Sequence, residues 1–192
     1  MTRVKICGLT RIRDVEHALA CGADAIGFVM EPTSTRYVGA NKDVMDCIRS
    51  LGPYVSTFAV YGRLAAPYPA ASLLQFVEGE SSLPHVRAIR MRDSAVMAYE
   101  AGENCRALLL DAYDPNAYGG TGQVVDWIAA RSFVLNSPIP VILAGGLTPE
   151  NVAAAIVAVG PYGVDVSSGV ESEPGIKDPI KVRDFIQAAR TA

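Results

Sequence analysis

The chain has 192 residues, 50% hydrophobic and 19% charged, which suffices for one cored domain at ~150 residues per domain and excludes a disordered chain. A formal net charge of −3 and a pI near 5.4 exclude the basic excess of a nucleic-acid or anionic-membrane binder. No apolar run approaches the ~20 residues of a bilayer span, and Met1 to Gly8 carry no secretory core or cleavage site, so we expect a cytoplasmic protein.

Eight short runs read as strands: 3–7, 25–30, 55–60, 73–77, 86–91, 107–111, 140–144 and 163–167. Most are continuously apolar, as strands buried on both faces of a parallel sheet are. Helix signals fall between them. Thr10 caps a predicted helix with Ile12, Val15 and Leu19 on one face and Gly22 past its end. Asn41 opens a second, striped by Val44, Ile48 and Leu51. Thr148-Pro149-Glu150 starts another, with Val152, Ile156 and Val159 on its apolar face and Gly160 as its stop. Val182, Phe185, Ile186 and Ala189 mark the last helix.

Strands alternating with helices predict a single (βα)8 TIM barrel over residues 1–192, in the α/β class, with a doubly wound sheet as the runner-up. The barrel must be compact, since ~250 residues is typical. Residues 78–85, with Ser81, Ser82 and Pro84, leave no room for a helix, so the one between strands four and five should be missing or reduced to a turn.

In a barrel, chemistry sits where strands end and loops begin. Alternation turns Lys5 and Cys7 inward, so Cys7 is either a rim thiol able to act as base or nucleophile, or a small buried hydrophobe. Cys21, Cys47 and Cys105 read as inert free thiols. Asp111 follows three leucines, where a carboxylate needs a partner or a proton, unless it caps the next loop in solvent. The segments 144–147 and 165–170, with Gly145, Gly146, Asp165, Ser167, Ser168 and Gly169, place glycines after strands seven and eight, the usual phosphate site of this fold. Arg36 could bind a carboxylate through two parallel bonds or simply be solvated. Gly119-Gly120-Thr121-Gly122 fails both nucleotide-loop patterns and reads as a mobile loop. Two histidines, His17 and His85, in no ligand motif make a metal site unexpected.

Together these segments resemble the phosphoribosylanthranilate isomerase family of tryptophan synthesis. The match runs through VKICGLT (4–10), GADAIGFVM (22–30), STRYV (34–38), LLLDA (108–112), YGGTGQVVDW (118–127), LAGGLTPENV (143–152) and VDVSSGVESEPGIKD (164–178), in the family's order. The resemblance implies an Amadori rearrangement with no metal or organic cofactor, with Cys7 as general base and Asp111 as general acid. It further implies that Arg36 holds the anthranilate carboxylate and that Gly145, Gly146, Ser168 and Gly169 hold the phosphate, with Asp165 and Ser167 in the same binding set. The partner it implies is a small phosphorylated sugar–anthranilate substrate, with no nucleic acid or membrane, in a monomer or homodimer. Phe76-Val77-Glu78-Gly79 matches a run where most members carry a histidine, which places Glu78, and its negative charge, near the site. The alternatives are an isomerase of a related aminoaldose phosphate and a catalytically impaired phosphosugar-binding barrel. Apolar strand surface around Phe76 and Val77, left bare by the missing helix, should be covered by a loop or a second subunit.

Overall fold

The computed structural model describes residues 1–68, 70–92, 94–113 and 125–192. The 119–122 loop lies outside them. The chain runs β1 (Arg3–Ile6), α1 (Ile12–Ala20), β2 (Ala25–Val29), α2 (Lys42–Ser50), β3 (Ser56–Arg63), β4 (Leu73–Glu78), β5 (His85–Arg92), β6 (Ala95–Val96), β7 (Cys105–Ala112), α3 (Trp127–Asn136), β8 (Val141–Leu143), α4 (Val152–Val159), β9 (Gly163–Val166), β10 (Glu171–Glu173), β11 (Ile176–Lys177) and α5 (Pro179–Thr191). Strands β1, β2, β3, β4, β5, β7, β8 and β9 pair in parallel in that order. Pairing of β9 with β1, from Arg3↔Gly163 to Ile6↔Val166, closes the barrel. These are the eight strands expected from sequence. The two-residue β6 on the end of β5 and the β10–β11 hairpin carried too little pattern to be read.

Alternation along each strand sorts the side chains. Val4, Ile6, Ile26, Phe28, Leu108, Leu110 and Leu143 point outward and pack against the helices. Ala25, Phe58, Val86, Leu109 and Ile142 point inward, toward the lumen. Both faces are buried, which is why the strands read as unbroken apolar runs.

The expected gap between the fourth and fifth strands is real, and it is wider than expected. Among the described residues three successive connections, β3 to β4, β4 to β5 and β5 to β7, carry no helix. The tightest, residues 79–84, is far shorter than the roughly dozen residues a parallel crossover normally takes. Cover comes from the chain itself. Leu64, Tyr68 and Ala71 of the β3–β4 connection pack with Tyr61, Leu74 and Phe76. The Arg87 guanidinium lies 4.4 Å from the Phe76 ring centre, and the His85 ring 4.9 Å from it. Arg87 also donates to the carbonyls of Val77 and Gly79, at 3.1 and 2.7 Å. A planar cation thus replaces a helix, shielding the ring while satisfying the carbonyls where β4 ends. Phe76 needs no second subunit, and Val77 points inward, so it is not part of an uncovered outer face.

Two caps differ from expectation. Thr10 does not cap α1; its hydroxyl donates to the Gly175 carbonyl at 2.5 Å, and Arg11 stands at the cap position. Helix α4 begins after a turn rather than at Thr148: the Asn151 side chain accepts from Thr148 N–H and donates to the Gly146 carbonyl. That bond ties the helix to the glycine rim. Asn41 caps α2 through Val44 N–H, as expected.

Candidate active site

The C-terminal ends of the strands open into a cavity of ≈ 410 Å3, within the usual range for a small-molecule site. Cys7, Asp111 and Arg36 line it, together with Asp165. So do Gly145, Gly146, Ser167, Ser168 and Gly169. All the residues expected from sequence to act on or bind the substrate therefore meet at one mouth.

Each is placed by a local device. β1 turns Lys5 and Cys7 into the lumen, where β2 offers Gly27; a Cβ there would lie 2.8 Å from the Cys7 sulfur and 3.0 Å from Lys5 Cε. Only a residue without a side chain leaves room for both. Across the mouth, Gly145 has φ +78° and sits against Asp111, so a Cβ would lie 3.1 Å from Asp111 Oδ1 and 2.9 Å from the Ala112 nitrogen. The glycine lets the loop after β8 and the carboxyl share one corner. Gly169 packs directly on the Leu147 carbonyl, locking the two glycine segments together.

Electrostatics follow from burial. The Asp111 pKa is pushed up to about 7, chiefly by burial and further by the Asp165 charge; the Ala112 N–H, which donates to Oδ1 at 2.8 Å, pulls the other way. Asp111 therefore exchanges its proton near neutrality, and both of its forms are present there. Burial also raises the Cys7 thiol, against the pull of the Lys5 ammonium. Lys5 is itself buried and donates to Asp165 Oδ1 at 3.0 Å; burial disfavours its charge, but Asp165 and Cys7 outweigh this and raise its pKa. This pair was missed from sequence, although a lysine inside the apolar run RVKI is itself a signal. Below it, the other end of the barrel holds a second hollow of ≈ 560 Å3, lined by Lys5, Phe58 and Leu73 among others.

Arg36 lies at the mouth, yet it is not free. Its Nε and Nη2 donate to Glu171 at 2.9 and 2.7 Å, a two-bond fork. Lys177 donates to Glu171 Oε1 at 2.7 Å and to the Ser167 carbonyl at 3.0 Å. Burial works to raise the Glu171 pKa, but the two cations outweigh it and hold the carboxylate ionised. The resemblance led us to expect a substrate carboxylate on Arg36; one edge of its fork already holds an internal one. Glu171 and Lys177 come together only because the β10–β11 hairpin folds back, which no local pattern announces.

Glu78 is not at the site. Its side chain is 46% exposed, 3.7 Å from Arg63, and does not line the cavity. Strand alternation turns Gln75 and Val77 inward instead, so no acidic charge is added to the mouth from β4. Among the described residues no cluster of His, Cys, Asp and Glu could hold a metal ion, and no helix is long and apolar enough to cross a membrane.

A mouth of this build marks the acid–base enzymes of the (βα)8 class, whose chemistry sits where strands give way to loops. Comparison narrows the class to a family. Residues 76–188 match the model of N-(5'phosphoribosyl)anthranilate (PRA) isomerase. An N-(5'-phosphoribosyl)anthranilate isomerase of Geotalea uraniireducens is 40% identical, over 99% of both chains. A Pseudomonas fluorescens counterpart is 41% identical over 98% of this chain and 95% of its own. The crystal structure of the Thermotoga maritima phosphoribosyl anthranilate isomerase superposes with a TM-score of 0.83 at 30% identity, covering all of both chains. Another solved isomerase, in complex with reduced 1-(o-carboxyphenylamino)-1-deoxyribulose 5-phosphate, gives 0.80 at 29% identity, also over all of both chains. The chain belongs to the phosphoribosylanthranilate isomerase family.

Proposed function

We propose that this protein catalyses the Amadori rearrangement of N-(5-phosphoribosyl)anthranilate to 1-(2-carboxyphenylamino)-1-deoxyribulose 5-phosphate in tryptophan biosynthesis. The observation that carries this reading is one cavity lined by a thiol, a carboxyl whose pKa burial raises and a glycine rim, in a chain of this family.

The phosphate rests on the backbone N–H groups and hydroxyl around Gly145, Gly146, Ser168 and Gly169. Arg36 meets the anthranilate carboxylate with the edge of its guanidinium that Glu171 leaves open. Asp111 gives its proton to the furanose ring oxygen, the ring opens, and the amine nitrogen becomes an iminium. That positive charge acidifies the hydrogen on C2 of the sugar, and the Cys7 thiolate removes it. The enolamine then tautomerises to the ketone. Lys5, next to both Cys7 and Asp165, favours the thiolate, and Asp165 keeps that ammonium charged. Neither step calls for a metal or an organic cofactor.

The test is the fall in fluorescence as purified protein converts the anthranilate substrate. Wild type should turn over. Cys7→Ser should lose at least about 10²-fold in kcat, given the worth of a general base, with an unchanged circular dichroism spectrum. A Cys7→Ser variant of near wild-type rate removes the thiol from the mechanism. A wild type without turnover removes the function.

A further inference from the structure

The cavity wall has two sectors. The strands that carry Cys7, Asp111 and Asp165 make one side polar, while Val60, Val77 and Ala88 on β3, β4 and β5 make the other apolar. One polar side chain interrupts the apolar sector. Gln75, on β4, is only 6% exposed and lines the cavity between its strand neighbours Val60 and Val86. Its Oε1 is buried and meets no hydrogen-bond donor among the described residues.

A buried amide oxygen without a donor destabilises the fold that contains it. Leucine or methionine would fill the same volume on this apolar wall without that penalty. Such a group is better explained by a partner that arrives with the ligand. The missing partner must be a donor. A phosphate and a carboxylate only accept, and each has its own place, on the glycine rim and at Arg36. In the ring of eight strands β4 stands diametrically opposite β9. A ligand whose phosphate lies on the β8 and β9 loops therefore turns the body of its sugar toward Gln75.

We propose that Gln75 is a substrate-binding residue that accepts a hydrogen bond from a sugar hydroxyl. It selects for a hydroxylated chain between phosphate and ring. The proposal rests on the isomerase reading above and names one contact within it.

The experiment compares wild type with Gln75→Leu, using reduced 1-(2-carboxyphenylamino)-1-deoxyribulose 5-phosphate and inorganic phosphate as probes in titration calorimetry. Gln75→Leu should bind the reduced sugar phosphate about tenfold or more weakly and inorganic phosphate equally well. Its thermal midpoint without ligand should stay level or rise, because the unpaired acceptor is gone; a residue that merely supports the fold would lower it. Should leucine lower the midpoint, Gln75→Met repeats the comparison with a more adaptable side chain. Equal affinity of variant and wild type for the reduced sugar phosphate overturns the role of Gln75 alone. A wild type that does not bind this probe overturns the isomerase reading and the Gln75 contact together.

Discussion

The barrel is built in two ways. From β7 round to β2 the strands are backed by helices α1 to α5, and the groups able to move protons or hold anions stand at the ends of these strands. From β3 to β5 there is no helix among the described residues, and the strands present the apolar wall with Gln75 alone among it. Proton transfer needs groups fixed to within a fraction of an ångström, and strands clamped between a packed lumen and a helix layer provide that. A wall that only excludes water tolerates thinner support. There a guanidinium, an imidazole and a nine-residue connection suffice.

The division is broken first at its catalytic side. Asp111→Asn should lower kcat by at least about 10²-fold and yet stabilise the protein. The native carboxyl titrates near 7 and the unfolded one near its ordinary value of 3.8. Below pH 3.8 both states are protonated and Asp111 carries no penalty. As the pH rises to 7 the unfolded state ionises first, so stability is lost across that window and stays lost above it. Asparagine removes the loss, by up to about 4 kcal/mol above pH 7. Thermal midpoints of both proteins from pH 4 to 8 read this directly; a gain that does not grow with pH refutes the buried-acid assignment. In wild type kcat/KM should climb tenfold per unit up to about pH 7 and then level, because protonated Asp111 and thiolate Cys7 coexist in a constant small fraction between their two titrations.

The helix-free side should answer in stability, with the chemistry spared. Arg87→Met loses two charge-assisted bonds and the stack on Phe76, about 2–4 kcal/mol, while kcat changes less than about threefold. Urea denaturation beside steady-state rates separates the two; a collapse of kcat at unchanged stability would erase the distinction between the halves. The smallest effect is expected at Glu78. Its exposed, 3.7 Å pair with Arg63 is worth under about 1 kcal/mol, so Glu78→Gln should leave rate and midpoint alike.

The strands and the site were legible in different measure. Strands buried on both faces announce themselves as unbroken apolar runs, and the end of each run marks a mouth residue, so Cys7, Asp111 and the two glycine segments could be read directly. Contacts between distant side chains could not. The Arg36–Glu171–Lys177 chain depends on a short hairpin, and the cover of Phe76 on an arginine eleven residues away. Glu78 shows how a register error misleads: strand side chains alternate, so a one-residue slip moves a charge from the lumen to the outside.

Lys5 and Asp165 are registered neighbours on β1 and β9, and the bond between them runs along the barrel wall. Lys5 lines the lower hollow and Asp165 the mouth, so one ion pair couples the two hollows electrically. A change of charge in the lower hollow is thereby felt at a carboxylate that borders the mouth.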